Sequence, residues 1–136
     1  MGFIGLAETL KALIGKHHGE SKEAQELGLK IITHLRERCD ALTKKHKLNF
    51  SCYATPAEGL SGKFTKLDLK FLGEIPWITD KGFYTNSYHV PVDFPISIAE
   101  KIAIEAPYHK LCNGGHISYV EFDDYPSGEQ IEKVLR

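Results

Sequence analysis

The stretch Tyr53-Ala54-Thr55-Pro56-Ala57-Glu58-Gly59-Leu60-Ser61 brings a phenol, two hydroxyls and a carboxylate close together. An apolar, alternating run precedes it, and a helical spacing of Leu60, Phe64, Leu67 and Phe71 follows. Thr55 would then be an N-cap, with Pro56 at the first helical position. Such a helix start presents unpaired N–H groups and the positive end of a dipole, which suits an anion such as a phosphate. Ser61 and Lys63 would add a hydroxyl and a positive charge. A plainer account fits the local sequence better than a phosphate site or a catalytic carboxylate: Thr55 and Glu58 have capping-box spacing, in which the carboxylate simply returns to the Thr55 N–H. Local sequence leaves both readings open.

Other reactive residues carry weaker signals. Adjacent histidines such as His17 and His18 point apart in a helix or turn, so they read as solvent-exposed rather than as a metal pair. Asn86, Ser87 and His89 could line a pocket, with Ser87 and His89 sharing one face if 87–92 is a strand. A half-buried, hydrogen-bonded face explains them as well. Cys112 beside Asn113-Gly114-Gly115 reads as a thiol next to a reverse turn, with no activating base implied by spacing. Cys39, Cys52 and Cys112 are odd in number and far apart in sequence, so neither a disulfide framework nor a CxxC metal site is expected.

The elements that would position these groups follow from periodicity. A short helix is predicted from about Gly5 to Ile14, with Leu6, Leu10, Leu13 and Ile14 on one face. After a polar break at 15–19, Ser21 caps a longer helix to about Lys45 that carries Leu27, Ile31, Leu35, Cys39 and Leu42 at three- or four-residue spacing. Residues 48–54 alternate as a strand should. Gly73 stops the helix opened by Thr55-Pro56, and 74–85 reads as an ordered loop. Strands are predicted at 87–92, weakened by Pro91, and at 116–122 after the Asn-Gly-Gly turn. Residues 96–105 are ambiguous, and a last helix begins near Ser127 and runs into the end of the chain. Helices with two or three strands make an α/β pattern.

The 136 residues are 42% hydrophobic, enough for one core and too short for two comfortable domains. A net charge of −1 gives no general electrostatic case for nucleic acid or an anionic membrane. No apolar run approaches the roughly 20 residues that span a bilayer, and nothing reads as a secretory signal, so a cytoplasmic location is expected.

Taken in order, several blocks resemble the anaerobic (class III) ribonucleoside-triphosphate reductases. They are Gly2 to Glu8, Ala12 to Gly15, Tyr53 to Phe64, Gly73 to Ile75, Thr79 to Val90, Glu105 to Tyr108 and Gly114 to Glu121, collinear over most of the chain. The resemblance implies a glycyl radical enzyme built on a ten-stranded α/β barrel, of which residues 1–136 would be a single fragment of the catalytic domain. It implies reduction of ribonucleoside triphosphates through a thiyl radical, relayed from a C-terminal glycine that an iron–sulfur, S-adenosylmethionine-dependent activase installs. Zinc, formate as electron donor, and a homodimer are implied for the whole enzyme.

Position by position, Thr55, Pro56 and Ala57, with Ser61 nearby, resemble the turn that holds the substrate phosphates. Tyr53 and Glu58 match a tyrosine and a glutamate facing the ribose, where a glutamate could exchange a proton with a hydroxyl. No finger-loop cysteine, zinc-binding cysteine set or radical glycine can be matched, so the chain alone is expected to be inactive and to need no cofactor of its own. The alternatives are a stand-alone nucleotide- or phosphate-binding module without redox activity, and a purely structural domain.

Overall fold

The computed structural model describes residues 1–122 and 124–135. Strand β1 (Gly2–Phe3) leads into helix α1 (Leu6–Ile14), as the apolar spacing predicts. Gly5 and Gly15 bracket α1 in left-handed conformations, φ 73° and 75°, which a side chain would strain. Helix α2 (Lys22–His46) starts as predicted, with the extended Ser21 accepting from the Ala24 amide at 3.2 Å.

The α2 stripe of Leu27, Ile31 and Leu35 packs against the core, but the deepest residues are Ala24, Gly28, Ile32 and Cys39. Gly28 explains the rotation: a Cβ there would stand 2.5 Å from Tyr108 Oη and 3.3 Å from Leu10 Cδ1. A small residue is what lets neighbouring side chains seat against the α2 backbone.

Strand β2 (Tyr53–Ala54) is all that forms of the strand predicted at 48–54. It pairs parallel with β1, Gly2 opposite Tyr53 and Phe3 opposite Ala54, and these two make the sheet among the described residues. The rest is captured locally. Thr43 Oγ1 accepts from the Phe50 amide at 2.9 Å and donates to the Phe50 carbonyl at 3.1 Å, while the Cys52 amide donates to Asn113 Oδ1 at 3.0 Å. The predicted Asn-Gly-Gly turn closes on the far edge of β2, with Gly114 N donating to Cys52 O at 2.7 Å and Ala54 N to Gly115 O at 3.1 Å.

Helix α3 (Glu58–Leu72) ends at Gly73 as predicted. The strand predicted at 87–92 does not form: Ser87 has φ 41°, His89 N turns back to Asn86 O, and the Val90 amide is taken by the Glu105 carboxylate. Residues 96–105 resolve into helix α4 (Ile98–His109), opened by a capping box between Ser97 and Glu100. Residues 116–122, also predicted as a strand, lie beside α4 without pairing, and Lys101 Nζ donates to the Tyr119 carbonyl at 2.6 Å. Helix α5 (Gly128–Leu135) begins after Ser127, as the sequence indicates. Helices with a small parallel sheet fit the α/β reading.

The core joins Leu6, Leu10, Ile32, Cys39, Cys52, Ala54, Tyr88, Tyr108 and Cys112. Tyr88 and Tyr108 stack at 5.3 Å and 7°. The three cysteines, distant in sequence, meet in this one cluster and are all free thiols. Burial pushes the Cys112 thiol up to about 12 and raises Cys52 as well, so both are inert as nucleophiles at neutral pH.

Candidate functional site

Helix α3 starts two residues later than the sequence predicts. Ala57, not Thr55, is the cap residue, and no side chain caps the end. The chain turns first: Ala57 N donates to Thr55 O at 3.0 Å, and the Thr55 hydroxyl donates to Tyr53 O at 3.5 Å. The Thr55 hydroxyl also sits against Gly2, where a Cβ would overlap it. The Thr55–Glu58 capping box is therefore absent, and Pro56 lies in the turn rather than in the helix. Ser61 N reaches back to Ala57 O at 2.8 Å, leaving the earlier amides of the first turn uncapped by any side chain.

Glu58 and Ser61 line a cavity of about 460 Å³. Its other walls come from 81–93 and from Tyr119 and Glu121, so two separate segments converge on α3. Asn86 and His89, singled out from sequence, both face it, whereas Ser87 is buried and does not. Tyr53 does not line this cavity; its ring packs against Gly115 and stays 37% exposed. Lys63 also lies elsewhere, in a shallow depression along α3 with Gly59, Gly62, Lys66 and Lys70.

The cavity's charge is mostly negative. Glu58, Asp93 and Glu121 face it together with Lys81, and Lys81 Nζ is bound to both Asp93 carboxylate oxygens at 2.9 and 3.0 Å. That ion pair holds the Asp93 carboxyl below the usual carboxylate range. Behind the cavity lies a polar knot that sequence spacing did not reveal. Glu105 accepts from His89 Nδ1 at 3.1 Å and from the Val90 amide at 2.9 Å, and pairs with Lys101 Nζ at 3.2 Å. Burial works against ionisation of Glu105, but these donors outweigh it and hold its carboxyl below its ordinary value. Only the collinear Glu105 to Tyr108 block hinted at the residue.

His17 and His18 are not exposed, contrary to the sequence expectation; they are 5% and 2% accessible. His18 Nε2 donates to Tyr88 O at 2.7 Å, and His17 packs edge-on to Phe94 and lies 3.7 Å from the Glu20 carboxylate. They are core histidines. Among the described residues no three His, Cys, Asp or Glu side chains gather as ligands of a metal would, and no helix is long and apolar enough to cross a membrane.

A family model described as anaerobic ribonucleoside-triphosphate reductase matches residues 1–136. Curated relatives of that name include proteins of Salmonella typhimurium, 41% identical over 99% of this chain, and Escherichia coli, 40% identical over 99%. The Enterobacteria phage T4 protein of the same name is 43% identical over 91% of the chain. The chain spans 19% of the length of each of these relatives. With Glu58 and Ser61 lining one cavity at the uncapped start of α3, and a match running from the first residue to the last, the chain belongs to the anaerobic ribonucleoside-triphosphate reductase family.

Proposed function

We propose that this chain supplies the substrate end of an anaerobic reductase that converts ribonucleoside triphosphates to deoxyribonucleotides by radical chemistry. The observation that carries the reading is the uncapped start of α3, with Glu58 and Ser61 turned into the adjoining cavity. Phosphate oxygens would accept hydrogen bonds from the first-turn amides, reached through the turn Thr55-Pro56-Ala57. The mostly acidic cavity repels phosphate but suits sugar hydroxyls, so the ribose would enter it and meet Glu58. Tyr53 enters this reading as a flanking residue at the mouth of the turn rather than as part of the cavity wall.

The remaining machinery is assigned to other parts of the relatives' length. A ten-stranded barrel, a finger-loop thiyl radical, a C-terminal glycyl radical, a four-cysteine zinc site, formate, the iron–sulfur activase, a homodimer and a cytoplasmic setting belong to that larger reading. No gathered set of side chains among the described residues suits zinc. The three thiols cannot stand in for the finger-loop cysteine, because all are buried in the core.

Titration of the isotopically labelled chain with ATP tests the site. Amide shifts centred on residues 53–61 are expected, weakened in Glu58→Gln. A well-dispersed spectrum that ignores ATP would sink the reading.

A further inference from the structure

We propose that His89, held in place by Glu105, contacts the substrate directly by accepting a hydrogen bond from a ribose hydroxyl. The inference rests on the nucleotide reading above and adds a second polar group to the cavity that Glu58 faces.

The geometry of Glu105 fixes which nitrogen of His89 is free. Glu105 Oε1 takes the Val90 amide and Lys101 Nζ, and Oε2 takes His89 Nδ1. A carboxylate accepts only, so the Nδ1 position carries the proton, and in the neutral ring Nε2 presents a lone pair. The ring is clamped edge-on by Tyr119 at 4.9 Å and flanked by Tyr88 at 5.1 Å. His89 is 6% exposed, and what remains open lies on the cavity lined by Glu58 and Asn86. Among the described residues Nε2 has no hydrogen-bond partner. Asn86 Oδ1, on the same wall, is buried and also unpaired.

An open imidazole acceptor beside a carboxylate, with the unpaired Asn86 Oδ1 just beneath the wall, favours O–H donors in the cavity. Phosphate, whose oxygens are chiefly acceptors at neutral pH, would set lone pairs against lone pairs. A vicinal diol is the matching ligand chemistry. Glu105 is a positioning residue in this arrangement: it fixes the imidazole tautomer and aim without reaching the ligand.

The test compares ATP, 2′,3′-dideoxy-ATP and inorganic tripolyphosphate, following amide signals of 53–61 and the imidazole nitrogens of His89. ATP should move both; the other two should move only the amides. His89→Gln should reduce the preference for ATP over its dideoxy analogue by roughly 3- to 10-fold, the range for one lost hydrogen bond. Glu105→Gln should shift the His89 ring toward the other tautomer and lower the same preference, whereas a merely structural Glu105 would leave the preference of the folded variant unchanged. Amide shifts with a stationary His89 ring would overturn the inference and leave the phosphate site standing. Equal ring shifts with the dideoxy analogue would overturn the hydroxyl contact. Silence from all three ligands would overturn both readings.

Discussion

His18 buries a titratable ring with one nitrogen satisfied and one not. Its Nε2 donates to Tyr88 O, while Nδ1 is buried without a partner. Protonation would therefore create an unpaired N–H in the core, and burial lowers the pKa to about 4 against the opposing pull of the Tyr88 carbonyl. The unfolded ring, near 6.5, takes up its proton first. Between about 4 and 6.5 the unfolded state binds more protons, so stability is fully present above that window and falls as pH drops through it. At pH 5.5 the loss relative to pH 7.5 should be about 1.4 kcal/mol. His17, also lowered chiefly by burial, adds in the same sense. Denaturant midpoints at these two pH values should converge in His18→Gln relative to the parent. An equal drop in both proteins would show that the acid sensitivity lies elsewhere. Glu58, by contrast, is exposed at the head of α3, so Glu58→Gln should leave stability within about 0.5 kcal/mol while weakening ATP binding.

Helices and turns differ in what holds them, and two substitutions separate the cases. Ser97 and Glu100 cap α4 reciprocally, so Ser97→Ala should cost about 1 kcal/mol, read as a modest fall in Tm. Gly114→Ala should cost more, about 1–3 kcal/mol, because its Cβ would meet Ser51 Oγ at 2.8 Å and the Cys52 carbonyl at 2.9 Å. A Gly114→Ala protein with the parent Tm would mean that the turn gives way freely. These elements also mark what could be read in advance. α1, α2, the end of α3 and the Asn-Gly-Gly turn were legible because their apolar spacing, the Ser21 cap and the glycines act locally. The strands at 87–92 and 116–122 failed because their amides and carbonyls are claimed by Glu105 and Lys101, which no window of neighbouring residues contains. The burial of His17-His18 and the late start of α3 were hidden for the same reason: Tyr88, Phe94 and Gly2 decide them from a distance. Within the site, Glu58, Ser61 and His89 were visible as residue types. Their convergence, and the Glu105 behind them, were not.

Across the whole molecule, the segment 85–90 serves as a seam between the N-terminal helices and α4. Gly5 N donates to Thr85 O at 2.8 Å and Leu6 N to Ser87 O at 3.3 Å, while His18 bonds Tyr88 O and Glu105 holds His89 and Val90. Glu8 is the buried fastener: one carboxylate oxygen accepts from both the Thr85 amide at 3.0 Å and the Thr85 hydroxyl at 2.7 Å. Residues 85, 86, 89 and 90 of this seam also form a wall of the cavity, so α1 helps to set the shape of a site made largely by other segments. Glu8→Ala removes two long-range hydrogen bonds and leaves a buried amide and hydroxyl unpaired, a loss of about 2–4 kcal/mol. The effect should be uneven. Amide exchange should quicken at Thr85 through Val90 and at the start of α1, while α5, none of whose described residues is buried, should exchange as before. ATP affinity should fall although Glu8 lies outside that cavity's lining, because a loosened wall must be ordered on binding. Faster exchange confined to α1, with 85–90 still protected, would mean that the seam is held from the α4 side by Glu105 alone. The coupling of the N-terminal helix to the cavity would then have to be abandoned.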